Sequence, residues 1–242
     1  MIQKVTTSLT GDGYWTVEGL PAYVRLRIAG MQQGSHNFFV NDQEANKRVA
    51  SWGGGKALDD LLLPDEKAPG IRVIKKADKG MLTGVSGLIT HDTGKPLIMR
   101  SGDAPLVFAY APGLVALAHM TTQDVLSGMP RRFVEQIAKE ASLADVNFIV
   151  GPGIQACHYP YKWTVMFKLP GSVQFKGGKV LLDVPGAICR QLKRAGVRDA
   201  QITYIDECMY HSGKYFSQRR RNAEGDTKIQ GNGGLIELLE RH

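Results

Sequence analysis

Met99-Arg-Ser-Gly-Asp-Ala-Pro-Leu-Val-Phe108 leads on to Leu117-Ala-His-Met-Thr-Thr122, and Val150-Gly-Pro-Gly-Ile-Gln-Ala-Cys-His-Tyr159 follows further along the chain. Each stretch joins an apolar, β-rich run to a turn of Gly, Pro, Asp or Thr. Each turn carries side chains with chemistry: Asp103, His119, Cys157 and His158.

Upstream and between these pieces lie Ile71–Lys75, Gly87–Thr90, Pro96–Arg100, Pro105–Tyr110 and Leu114–Ala118, short β-rich runs whose spacing predicts one sheet. From Asp124 to Ala141 the apolar residues Val125, Leu126, Met129, Phe133, Ile137 and Ala141 recur at helical spacing. Pro130 should kink that helix or mark its true first turn. Phe148–Val150 and Gln201–Ile205 read as further strands, and Val184–Ala195 as a helix stopped by Gly196.

Toward the N-terminus, Tyr23–Ile28 alternates as a strand does. Asp42–Trp52 reads as a helix capped by Asp42 and ended by Gly53–Gly55. Asp59–Leu63 is too short to assign. Without repeats, low-complexity tracts or a linker, the expectation is one α+β domain over residues 1–242.

Composition limits the function classes. The 242 residues suffice for a core without disulfide support, and 43% hydrophobic with 22% charged residues is ordinary for a globular protein. Cys157, Cys189 and Cys208 are odd in number and unpaired in spacing, which argues against a disulfide framework. No run of about eighteen apolar residues occurs, so no membrane role is expected and the reading is a soluble, cytoplasmic protein. A net charge of +7 fits nucleic acid or an anionic small molecule. The densest basic run, Arg219–Arg221, is short, is followed by Glu224 and Asp226, and lacks the aromatic interleaving of an RNA-recognition sheet. Nucleic acid is therefore not the expected partner. Gly53-Gly-Gly-Lys56 could cradle a phosphate, although glycines at that position are better explained as a helix stop.

One order of features runs through nearly the whole chain. It comprises Leu26-Arg-Ile-Ala-Gly30 with Ser35-His-Asn37, Asn46-Lys-Arg48, Lys79-Gly80, Ser101-Gly-Asp-Ala104, His119, Gly151-Pro-Gly-Ile154 with Cys157, Leu182-Asp-Val184 and Tyr215-Phe-Ser-Gln-Arg-Arg220. In that order the chain resembles the YfiH-like laccase-domain family, also called multicopper polyphenol oxidases and purine nucleoside phosphorylases. The resemblance implies an α+β fold, activity of the purine nucleoside phosphorylase or adenosine deaminase type, and a zinc-capable site of two histidines and a cysteine. A thiolate and two imidazoles suit zinc and leave a fourth position open for water or substrate.

On this sequence the family's first histidine falls on Lys79, its cysteine on Ala104, and its second histidine on His119. Alanine ligates nothing and a protonated lysine repels a cation, so no cofactor is expected at those positions. Three readings follow. Zinc could bind at a relocated site, with Cys157 and His158 joined by His119 and Asp103; the plainer alternative is a small buried cysteine beside a loop histidine. Metal-free phosphorolysis or hydrolysis would use Lys79 and His119, with Arg27 and Arg219 holding an anionic substrate such as phosphate beside a purine nucleoside. The scaffold could also persist as a non-catalytic binder of a small anionic or nucleotide-like ligand, or of a protein. The residues carried forward are His119 and Lys79 as catalytic, and Arg27, Asp103, Cys157, His158 and Arg219 as substrate-binding. Ser217, without a triad partner at suitable spacing, reads as a structural loop serine.

Overall fold

A computed structural model describes residues 1–34, 43–52, 61–65, 70–226 and 230–240. Its centre is a seven-stranded sheet in the order Gln3–Val5, Ile202–Ile205, Asn147–Val150, Leu106–Ala111, Leu114–His119, Gly87–Thr90 and Ile71–Ile74. The middle strands are apolar over most of their length because both faces are covered. On one face Val107, Ala109, Ala116, Ala118, Phe148 and Val150 pack with Met129, Phe133, Ile137, Ile188 and Leu192 of the helices Met129–Glu140 and Val184–Arg194. The alternate residues Leu106, Phe108, Val115, Leu117 and Ile149 point the other way, against Leu26, Ile28, Leu97, Met99 and Ile236 of a second sheet.

That second sheet has five strands, in the order Ser8–Leu9, Trp15–Thr16, Val24–Ala29, Asn232–Leu238 and Leu97–Ser101. Its outer side receives Val49 and Trp52 of the helix Gln43–Trp52, packed with Ala29, Ile98 and Leu235. The result is an α+β fold of layered helix, sheet, sheet and helix. A small sheet of Pro160–Tyr161, Lys179–Leu182 and Val173–Lys176, and a pair of Leu62–Pro64 with Gly80–Leu82, complete it.

The single sheet expected from strand spacing is corrected to two. Leu97–Ser101 pairs with the C-terminal strand Asn232–Leu238, and the bend Gly102-Asp-Ala-Pro105 then carries the chain into the other sheet at Leu106. The Ser101 hydroxyl donates to the Ala104 carbonyl at 2.6 Å and fixes that bend. The helix expected over 124–141 is two helices, Thr122–Leu126 and Met129–Glu140, parted by Gly128 at φ +80°. Pro130 lies in the first turn of the second, where its missing N–H costs no hydrogen bond. The Asp42 cap, the Gly53–Gly55 stop, Lys56 and Ser35–Asn37 lie outside the described residues. Among the described residues no helix is long and apolar enough to cross a membrane.

Candidate functional site

One edge of the seven-stranded sheet gathers the chain segments that carry chemistry. Leu106–Ala111 starts there, just after Asp103 and Ala104, while Leu114–His119, Asn147–Val150 and Ile202–Ile205 all end there. A cavity of about 350 Å³ at this edge is lined by Asp103 and Ala104, by Thr121–Gln123, and by Ile154, Tyr159, Tyr161, Val184 and Arg219.

Local capping explains why these side chains hold their positions. Thr121 and Asp124 form a reciprocal capping box at the start of Thr122–Leu126, with the Thr121 N–H donating to Asp124 at 2.9 Å. Ser217 caps the helix Gln218–Ala223 and donates its hydroxyl proton to Asp103 Oδ1 at 2.5 Å. Asp103 Oδ2 accepts the Arg219 backbone N–H at 2.9 Å, and the Asp103 carbonyl accepts from Ile154 N–H at 2.8 Å. Both carboxylate oxygens of Asp103 are thus committed to anchoring the segment that presents Arg219. The Arg219 guanidinium lies 4.2 Å above the Tyr159 ring, and the Tyr159 hydroxyl bonds that of Thr122 at 2.8 Å. Burial, reinforced by Tyr159 and opposed by Arg219, raises the Tyr161 pKa.

His119 closes its strand opposite Leu106, with its backbone N–H donating to the Ser86 carbonyl at 2.9 Å. Burial first, then the Arg100 charge, depress its pKa to about 4 against a weaker pull from Asp124. The imidazole is therefore neutral at pH 7.

The other sequence-derived residues do not converge on one place. Asp103 and Arg219 meet in the cavity. Lys79 is exposed on the turn before Gly80–Leu82, outside the residues that line the cavity. Arg27 pairs with Asp12, lies over Tyr14 at 5.4 Å, and lines a different cavity on the second sheet.

Cys157 and His158 lie apart from all of these. The parallel neighbours Asn147–Val150 and Ile202–Ile205 release their loops side by side, and Gly153 bridges Cys208, with the Met209 N–H donating to the Gly153 carbonyl at 3.2 Å. Cys157 Sγ comes within 3.4 Å of Cys208 Sγ and 3.5 Å of His211 Nδ1. The His158 ring stacks on Tyr210 at 3.9 Å and meets the His211 ring edge-on at 4.2 Å. Cys157, His158 and His211 offer ligand atoms all within 4.8 Å of one another, so the cluster could hold a metal ion. Partial desolvation, with a further push from Cys208, raises the Cys157 thiol pKa to about 12 although the residue as a whole is exposed, and slight desolvation with His211 lowers that of His158.

The expected grouping of Cys157 and His158 with His119 and Asp103 is corrected: their neighbours are His211 and Cys208. Two strands separate the end of Leu114–His119 from the loop after Ile202–Ile205, and Asp103 is already bonded to Ser217 and Arg219. The spacing Cys208-x-x-His211 was the available sequence signal for the missed pair. Tyr159, Tyr161 and Thr122 had no comparable local signature.

A family model described as multi-copper polyphenol oxidoreductase laccase matches residues 44–231. The chain belongs to this family. Three solved structures are similar to this chain in fold. The Bacillus licheniformis hypothetical protein YfiH has a TM-score of 0.82 at 20% identity, covering 96% of this chain and 98% of its own. YlmD from Geobacillus stearothermophilus has 0.81 at 21%, covering 97% and 99%. The Neisseria meningitidis protein NMB0706, of the family model DUF152, has 0.71 at 19%, covering 91% and 96%. No curated protein matches the chain.

Proposed function

We propose that this laccase-family chain binds a purine nucleoside or a related planar small molecule, together with an anion such as phosphate, in the cavity beside Arg219. The observation that carries the reading is the Arg219 guanidinium stacked 4.2 Å over Tyr159 within a cavity also lined by Tyr161, Thr122 and Gln123. Aromatic rings offer a stacking face to a flat base, and a guanidinium offers paired donors to a phosphate or ribose oxygen. A volume of about 350 Å³ suits a small ligand.

The positions matching the family's histidine, cysteine and histidine do not fit a metal. Ala104 has no donor atom and Lys79 is an exposed cation on a separate turn, which leaves a single imidazole. Phosphorolysis would also require a proton for the departing purine. His119, with a pKa of about 4 and outside the cavity lining, is ill suited to give it at pH 7. The reading is therefore binding without the family's metal-dependent turnover.

Calorimetric titration of the chain with adenosine and with inosine, each with and without phosphate, tests this. Saturable binding is expected, weakened about tenfold or more by Arg219→Ala, an exposed position whose replacement spares the core. The absence of binding to either nucleoside would refute the proposal. Release of free base or of a deaminated product would replace it with an enzymatic one.

A further inference from the structure

We infer that Cys157, His158 and His211 form a site for a zinc-class divalent cation, on the two loops beside the cavity and independent of the ligand proposed for it. A thiolate with two imidazoles selects zinc over the oxygen-seeking magnesium and calcium. In a tetrahedral site with zinc–sulfur near 2.3 Å and zinc–nitrogen near 2.0 Å, a sulfur and a nitrogen stand roughly 3.5 Å apart. Cys157 Sγ and His211 Nδ1 are 3.5 Å apart. All three ligand atoms lie within 4.8 Å, so small rotations of side chains at a loop surface complete the triangle. His158 adds a separate observation: its Nδ1 is buried and has no hydrogen-bond partner among the described residues. A buried polar atom in that state is costly, and an ion or its bound water at this cluster would relieve it.

The stack on Tyr210 fixes the plane of the His158 ring, and the Gly153–Cys208 bridge fixes the spacing of the two loops. Cys157 and His211 are exposed while Cys208 is buried, so the fourth position is taken by water from the solvent side. Binding displaces the Cys157 thiol proton to solvent as the sulfur–metal bond forms; no oxidant or reductant is needed. The ion would clamp together the loop that supplies Ile154 and Tyr159 to the cavity and the loop that leads to Arg219.

The full chain, stripped with chelator and kept under a phosphine reductant so that Cys157 and Cys208 remain thiols, is titrated with zinc and, separately, with cobalt(II). The expected result is one equivalent of zinc retained after dialysis and a thiolate-to-cobalt charge-transfer band. Cys157→Ala and His211→Ala should each weaken zinc binding by at least about tenfold, while Cys208→Ser and Cys189→Ser keep both zinc and band. Because Cys157 and His211 are exposed, circular dichroism of the metal-free variants should match the parent. Sub-stoichiometric zinc in the reduced parent, unchanged affinity in folded Cys157→Ala or His211→Ala, or a cobalt band that survives Cys157→Ala, would overturn the site.

Discussion

His119 gives the sharpest test of how the sheet edge is built. Its imidazole has a pKa lowered from 6.5 to about 4, chiefly by burial and then by Arg100. Between those values the unfolded chain binds a proton that the folded chain refuses, so stability is fully present above pH 6.5 and falls as the pH drops toward 4. At about 1.36 kcal/mol per pKa unit, the loss between pH 7 and pH 5 attributable to this one side chain is about 2 kcal/mol. Urea denaturation of the parent and of His119→Gln at both pH values isolates it, because carboxylates titrate alike in the two proteins. The variant is expected to lose about 2 kcal/mol less than the parent on acidification, whatever its stability at pH 7. Equal losses would mean that the imidazole is reached by water and protonates normally, and the enclosed neutral histidine would have to be abandoned.

Further outcomes follow from other contacts. Asp103→Asn should cost about 1.5–3 kcal/mol in urea denaturation and also weaken nucleoside binding, because the amide can accept only one of the bonds now given by Ser217 and the Arg219 N–H. Glu207 accepts from Lys214 Nζ at 2.7 Å, from the Thr7 N–H at 2.9 Å and from the Tyr215 hydroxyl at 3.0 Å. Glu207→Ala should therefore cost about 3 kcal/mol, read from the denaturation midpoint, by leaving a partly enclosed ammonium without its partner. Gly151→Ala would set a Cβ 2.8 Å from the Leu106 carbonyl oxygen, the same oxygen that accepts the Gly151 N–H at 2.8 Å. An expected loss of about 1–3 kcal/mol in thermal or urea unfolding checks it.

Strands such as Gly87–Thr90, Leu106–Ala111 and Leu114–His119 were legible because a β-rich run between turns is a local signal, whereas Gln3–Val5, Lys179–Leu182 and Asn232–Leu238 were not expected. Val107 and Ala109 against Leu106 and Phe108 read off as two buried faces once both covers are known, and the observed bounds differ from the expected ones by a residue or so. The division into two sheets was not legible, since it depends on Asn232–Leu238 returning to pair with Leu97–Ser101 across more than half the chain. The break at Gly128 was half legible: Pro130 marked a discontinuity, but only the left-handed φ of the glycine decided between a kink and a new first turn. At the site, Asp103 and Arg219 were singled out by the family resemblance, and both line one cavity. Arg27 was drawn in by sequence order alone, and its partner Asp12 is on the adjoining loop of the second sheet.

Backbone and side chains at this sheet edge answer to different demands. The ends of Asn147–Val150 and Ile202–Ile205 are parallel neighbours held by buried Phe148, Val150, Ile202 and Ile205, so their loops emerge together whatever residues they carry. Ala104 lines the cavity and Lys79 is exposed to solvent, so the residue at either position can change without disturbing that core. By the same logic Cys157, His158, Cys208 and His211 converge through strand order and not through sequence proximity. In a fold of this kind a few substitutions in those loops create or remove a ligand set while the strands beneath them stay in place.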